Sequence, residues 1–123
     1  METQKPTRGK DFAQRGVEAA ARFLERNGYE VVETNWQCEA GEIEIVALEE
    51  STICFVEVQV RNQSSSLPQD TKTETERQRF EKIAIQYLKH SPYEDVKVRF
   101  DKIALVVIRE GRALLRHHIN CFG

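Results

Sequence analysis

Two acids sit inside apolar stretches that read as neighbouring strands: Glu44 in GEIEIVAL and Glu57 in ICFVEVQV. From Glu42 to Leu48 the residues alternate, with Glu42, Glu44 and Val46 on one face and Ile43, Ile45 and Ala47 on the other. Ile53 to Val60 is apolar but for Glu57 and Gln59. Alternation at period two predicts strands. The intervening Glu-Glu-Ser offers no residue that favours a left-handed backbone, so a loop of about four residues is expected rather than a two-residue turn. If Leu48 lies opposite Ile53, Glu44 and Glu57 face each other across the ladder, with Cβ atoms roughly 4.5–5.5 Å apart. Gln59 and Arg61 follow Glu57 on the same face, because every second residue of a strand shares a side. Like charges directly opposite repel. A divalent cation bound through carboxylate oxygens, Mg²⁺ or Mn²⁺, would neutralise them.

Plainer readings stand beside this one. Acids alternating in a strand are the ordinary mark of a solvated face, and Glu44 fits that. Glu57 is costly inside an apolar strand unless it is paired or bound. Arg61 or a backbone donor would suffice as a structural partner.

GEIEIVA followed by FVEVQVR resembles the GEIDLIA and FVEVKTR motifs of the small bacterial YraN-type endonuclease-like family. That family belongs to the restriction-endonuclease-like PD-(D/E)xK superfamily, together with the archaeal Holliday junction resolvases. The resemblance covers most of residues 15–108. It takes in Gly16-Val17-Glu18-Ala19-Ala20, Leu24, Gly28-Tyr29, Asn35-Trp36 and the late Val98-Arg99-Phe100-Asp101. It implies a metal held by Glu44 and Glu57, with Glu18 as an outer acid. Two departures stand out. The family's metal-binding Asp is Glu44 here, and its catalytic-position Lys is Gln59.

These residues need elements to hold them. Asp11 to Asn27 has a helical apolar stripe of Phe12, Gly16, Ala19, Ala20, Phe23 and Leu24, and Asn27-Gly28 closes it in a left-handed cap. On its polar side Glu18 would pair with Arg22 one turn on. Tyr29 to Trp36 reads as a strand in which Trp36 anchors core. Residues 62–70, NQSSSLPQD, read as a flexible loop beside the site. A second helix starts at Thr71 or Thr73, where Thr73 and Glu76 make a capping box, and runs to about Lys89. Its Phe80, Ile83, Ala84, Tyr87 and Leu88 face the sheet. Lys72, Arg77, Gln78, Arg79 and Lys82 form a basic surface that would contact phosphates, or else only water. The motif of Arg77, Gln78 and Arg79 approximates the family's Lys-Gln helix motif.

Val96 to Ile108 reads as a long strand, bent or in two parts around a structural Asp101. Ala113 to Ile119 forms a last strand on which His117 and His118 are surface residues. The tail from Asn120 carries no signal. The expected fold is α/β, a mixed β-sheet flanked by helices in the order α-β-β-β-α-β-β, which is the restriction-endonuclease-like core that the resemblance implies.

With 123 residues, the chain suits a single domain over 11–123 behind a flexible tail of residues 1–10. A net charge of −2 confines any nucleic-acid surface to local patches. Cys38, Cys54 and Cys121 lack metal-site spacing and a disulfide pattern. No run of residues is apolar enough for a signal core or a membrane span, so a cytoplasmic protein with reduced thiols is expected.

The function expected is a Mg²⁺-dependent endonuclease acting on DNA phosphodiesters, slow because Gln59 replaces the lysine. Branched or single-stranded DNA is the expected partner, and no membrane is involved. A nuclease fold retained only for binding nucleic acid is the alternative, and a domain that docks to another protein is a third. The oligomeric state, a homodimer included, stays open.

Overall fold

The computed structural model describes residues 8–62, 74–109 and 111–122. The order is α1 (Arg8–Arg26), β1 (Glu30–Cys38), β2 (Gly41–Glu49), β3 (Thr52–Asn62), α2 (Glu74–Lys89), β4 (Lys97–Arg109) and β5 (Arg112–His118). This is the α-β-β-β-α-β-β order expected, in one five-stranded sheet ordered β1-β2-β3-β4-β5. Only β3 and β4 run parallel; the other neighbours are antiparallel. The segment carrying α2 makes the crossover that a parallel pair requires.

The helices cover opposite faces. Val17, Ala20 and Leu24 of α1 pack on Ile45, Ala47, Cys54, Val56, Val58, Ile103 and Leu105. Phe80, Ile83 and Ala84 of α2 pack on Ile43, Val46, Ile53 and Phe55. The second layer is rich in rings. Trp36 meets Tyr87 edge to face at 5.2 Å, which gives the lone tryptophan the anchoring role expected of it. Helix α1 ends as its sequence predicts. Gly28 takes φ +90°, and Tyr29 N–H donates to the Leu24 carbonyl at 3.0 Å. Gly16 lets α1 lie directly on β3, because a Cβ there would overlap Val60 Cγ2.

Several local expectations are corrected. Helix α1 begins at Arg8, inside the stretch assigned to a tail. Leu48 does pair with Ile53, but Glu49 also pairs with Thr52, so the hairpin closes in two residues. Glu50 makes this tight turn by adopting φ +55° itself. Strand β4 is continuous through Asp101. The last residues do carry structure: Phe122 packs edge-on against Phe80 at 5.3 Å, and Cys121 is buried. The 62–70 loop, the Thr73 cap and Lys72 lie, apart from Asn62, outside the described residues. Among the described residues no helix is long and apolar enough to cross a membrane.

His117 is the main departure. Its Nε2 lies 2.9 Å from Oδ2 of Asp101, and its side chain is only 9% exposed. Asp101 is fully buried. It also receives Nε and Nη2 of Arg99 at 3.0 and 2.9 Å and the backbone N–H of Asn120 at 2.9 Å. Arg99 in turn donates to Tyr29 Oη at 2.7 Å and Glu49 Oε1 at 3.0 Å. Burial alone would raise the Asp101 carboxyl, but the bonds from His117, Arg99 and Asn120 hold it below its ordinary value. Asp101 is thus structural, as expected, and His117 is part of the same cluster.

Candidate active site

The site begins where two strands separate. Strand β3 is paired with β4 along its whole length, from Thr52↔Lys97 to Asn62↔Val107. Strand β2 leaves β3 after Ile45↔Val56. The end of β3 therefore has a ladder on one side only, and its backbone donors on the other side need partners. Glu44 supplies one: its Oε1 accepts the Val58 N–H at 2.9 Å.

Strand β2 turns over at Glu44. Ile43 packs with the α2 layer and Ile45 with the α1 layer, although residues two apart in a regular strand share a face. The sequence reading, which set Ile43, Ile45 and Ala47 on one face, misses this reversal. On β1, Thr34 pairs with Ile45 and Trp36 with Ile43, which puts Asn35 opposite Glu44. Asn35 has φ +53°, a left-handed backbone that asparagine tolerates better than most residues. Its Nδ2 donates to Gln14 Oε1 of α1 at 2.7 Å. Asn35 and Gln14 are thus bonded to each other beside Glu44. Asn35 belongs to the Asn35-Trp36 match of the family resemblance, whereas no motif drew attention to Gln14. At Asn35 the signal available was an asparagine within a strand.

The opening is a cleft of about 640 Å³, lined among others by Gln14, Asn35, Glu42, Glu44, Gln59 and Arg61. Glu57 reaches the seam from the α2 side. Its Oε2 lies 3.4 Å from Arg79 Nη2, and its Oε1 lies 3.9 Å from Lys102 Nζ. Lys102 pairs at 3.0 Å with Glu76. Oε1 of Glu57 is buried and has no hydrogen-bond partner among the described residues. The two acids therefore lie on different sides of the seam, not opposite one another on one face as the register predicts, because β2 leaves β3 after Ile45.

Glu44 is pushed up to about 7, first by burial and further by the charge of Glu57, while its bond from Val58 opposes the rise. This makes stability depend on pH. Below about 4.5 the carboxyl is protonated folded or unfolded. Between there and about 7 the unfolded chain releases the proton that the folded chain keeps, so stability falls as pH rises and levels off above. The loss is at most about 3 kcal/mol. Urea unfolding of wild type and Glu44→Gln at the two ends of this window should show the variant without that slope. Equal slopes would refute the shift.

The other expected site residues fall as follows. Glu18 is exposed on α1 and receives a 3.5 Å bond from Gln14 Nε2, one turn from the cleft and outside its lining. Gln59 and Arg61 line the cleft, with Arg61 Nη1 donating to the Val60 carbonyl at 3.2 Å. On α2, Gln78 is exposed, Arg77 pairs with Glu81 at 3.3 Å, and Arg79 is turned inward to Glu57. Among the described residues no three His, Cys, Asp or Glu side chains gather as a metal site. Of the two acids, Glu57 has an orphaned buried oxygen among the described residues, and Glu44 holds a raised pKa that a positive charge would relieve.

Residues 16–105 match the Uncharacterised protein family UPF0102. A UPF0102 protein of Geobacter sulfurreducens is 34% identical over 109 residues, spanning 88% of this chain and 85% of the relative. One of Myxococcus xanthus is 35% identical over 123 residues, covering 99% and 97%. One of Chloroflexus aurantiacus is 38% identical over 115 residues, covering 93% of each.

Proposed function

The chain belongs to the UPF0102 family, and we propose that it is a divalent-metal-dependent nuclease-type protein acting slowly on DNA phosphodiesters. The observation that carries this is a pair of incompletely satisfied acids at the open end of the β2–β3 seam: Glu44, bonded by Val58 N–H and raised in part by the charge of Glu57, and Glu57, whose buried Oε1 has no hydrogen bond among the described residues. The motif resemblance to the YraN-type endonuclease-like family and its PD-(D/E)xK superfamily supports the same reading.

Glu44 and Glu57 would hold Mg²⁺ or Mn²⁺, with water filling the remaining positions, as is usual for Mg²⁺. A bound divalent ion activates water and offsets charge on a phosphate. The chain's own groups have separate tasks. Val58 N–H and burial orient Glu44. Arg79 and Lys102 hold Glu57 in the seam. Gln59 offers an amide to water or phosphate at the cleft wall. Arg61 is permanently charged, so it can bind a phosphate but cannot act as a base. Glu18 acts at most as an outer group, through Gln14. Arg77 and Gln78 lie on the α2 surface where a branched or single-stranded DNA could rest its backbone.

Two observations favour the second reading, a nuclease fold that binds nucleic acid without cutting it. Gln59 brings no charge, and Glu57 already has cationic neighbours. Titration with Mn²⁺, followed by the ion's paramagnetic signal, separates the readings. Wild type should bind weakly and more tightly as pH rises from 6 to 8, because Glu44 must lose its proton, which leaves at about 7. Glu57→Ala should abolish binding. Unchanged binding in that variant would end the metal proposal.

A further inference from the structure

A second concavity, of about 340 Å³, adjoins the Glu44 cleft; Phe12 and Val60 line both. Its floor is apolar, built from Ala19 of α1, Leu105 and Val107 of β4, and Ala113 of β5. Its rim carries three guanidinium groups, Arg15 and Arg22 from α1 and Arg112 from the start of β5. Phe12, Arg15, Ala19 and Arg22 recur at helical spacing, so one stripe of α1 forms a wall. The two α1 arginines lie two turns apart, about 10 Å along the axis at 1.5 Å per residue. No acid is among the described residues lining the groove. Among the described residues, the ion pair seen at the rim is Arg15 with Asp11 at 3.6 Å; both side chains are more than half exposed. Such a pair contributes little and is readily exchanged for another anion.

We propose that this groove binds a single strand of nucleic acid and leads it to the Glu44 cleft. The proposal takes its ligand class from the function proposed above. Guanidinium groups around an apolar floor match a chain of phosphates carrying flat rings, since arginine pairs with phosphate and apolar or aromatic surfaces accept an unpaired base face. A duplex keeps its base faces stacked and could offer only phosphates to the rim. The chain's net charge of −2 makes this cluster a local feature rather than part of a generally basic surface. On α2, by contrast, Arg79 is turned inward to the partly buried Glu57.

The test is fluorescence anisotropy of a labelled oligothymidine of about 15 nucleotides, within the span of one single-strand binding module. The same measurement is made on a duplex of equal length. EDTA is present throughout. Wild type should bind the strand more tightly than the duplex. Arg22→Glu with Arg112→Glu should weaken strand binding at least about tenfold and flatten the salt slope by about 1.4, two phosphate contacts at about 0.7 each. Lys89→Glu with Lys97→Glu makes the same change of net charge on exposed residues away from the groove, and should stay within about twofold of wild type. Melting followed by circular dichroism verifies that each variant is folded. No strand binding by wild type, or equal losses in the two double variants, would overturn the proposal. So would equal affinity of wild type for strand and duplex. Strand binding lost in the arginine pair, with no Mn²⁺ uptake by wild type, would keep the groove and sink the metal chemistry. The reverse pattern would do the opposite.

Discussion

Gln59→Lys is expected to raise metal-dependent cleavage by about 10²–10³, roughly 3–4 kcal/mol. Gln59 lines the cleft with Glu44, and an ammonium there would stabilise both an attacking hydroxide and the charge growing on phosphate oxygens. The amide keeps the reach and donates a hydrogen bond but brings no charge. Arg61 can bind a phosphate but cannot act as a base, and in this structure its Nη1 bonds the neighbouring Val60 carbonyl. The measurement is a time course with Mg²⁺ or Mn²⁺ on single-stranded, flapped and four-way DNA, for wild type and Gln59→Lys. Wild type should cut slowly or undetectably. Fast cutting by wild type would show that Gln59 is not limiting. No cutting by either protein, with metal bound to both, would favour the binding-only reading.

Asp101→Ala is expected to cost about 3–5 kcal/mol of stability, the scale for removing one partner of a buried ionic cluster. The aspartate is fully buried and is the common acceptor for Arg99, His117 and Asn120. Without it Arg99 retains Glu49 and Tyr29, while the Asn120 N–H and the His117 ring lose their acceptor. Urea denaturation checks this, with Asp101→Asn as the milder variant because it keeps the shape and some of the bonds. A loss below about 1 kcal/mol in Asp101→Ala would mean that the cluster is dispensable. The sign of its pH dependence is opposite to that of Glu44. A depressed carboxyl stabilises the fold above its ordinary value, 3.8, and that contribution disappears as pH falls through the folded value. Acid should therefore unfold wild type more readily relative to neutral pH than it unfolds Asp101→Asn.

These two clusters follow one another along the β3–β4 ladder: Arg99 lies beside Cys54 and Asp101 beside Val56, Glu57 beside Lys102 on the next rung, and Gln59 beside Ala104 further along. The charges around Asp101 satisfy one another. Beyond them β2 departs from β3, and Glu44 and Glu57 are incompletely satisfied.

The sequence by itself determined the element order, the Leu48–Ile53 register, the helix faces and the cap at Gly28. Each follows from local periodicity or from one residue's backbone preference, which neighbours in the chain suffice to express. It also singled out Glu44 and Glu57, because an acid among apolar residues is legible without coordinates. Tertiary structure decided where those acids lie. The reversal of β2 at Glu44 lies opposite a left-handed Asn35 in the adjacent strand, which bonds Gln14 from a helix, and alternation within β2 carries no trace of either. The two-residue turn went against local preference because the β2–β3 ladder held Glu50 at positive φ. His117 likewise reads as a surface residue until β5 docks against β4 and brings it to Asp101, sixteen residues earlier in the chain. Long-range pairing settled each of these points, since a hydrogen bond or a buried charge is satisfied by whichever group the fold brings near, whatever its distance in sequence.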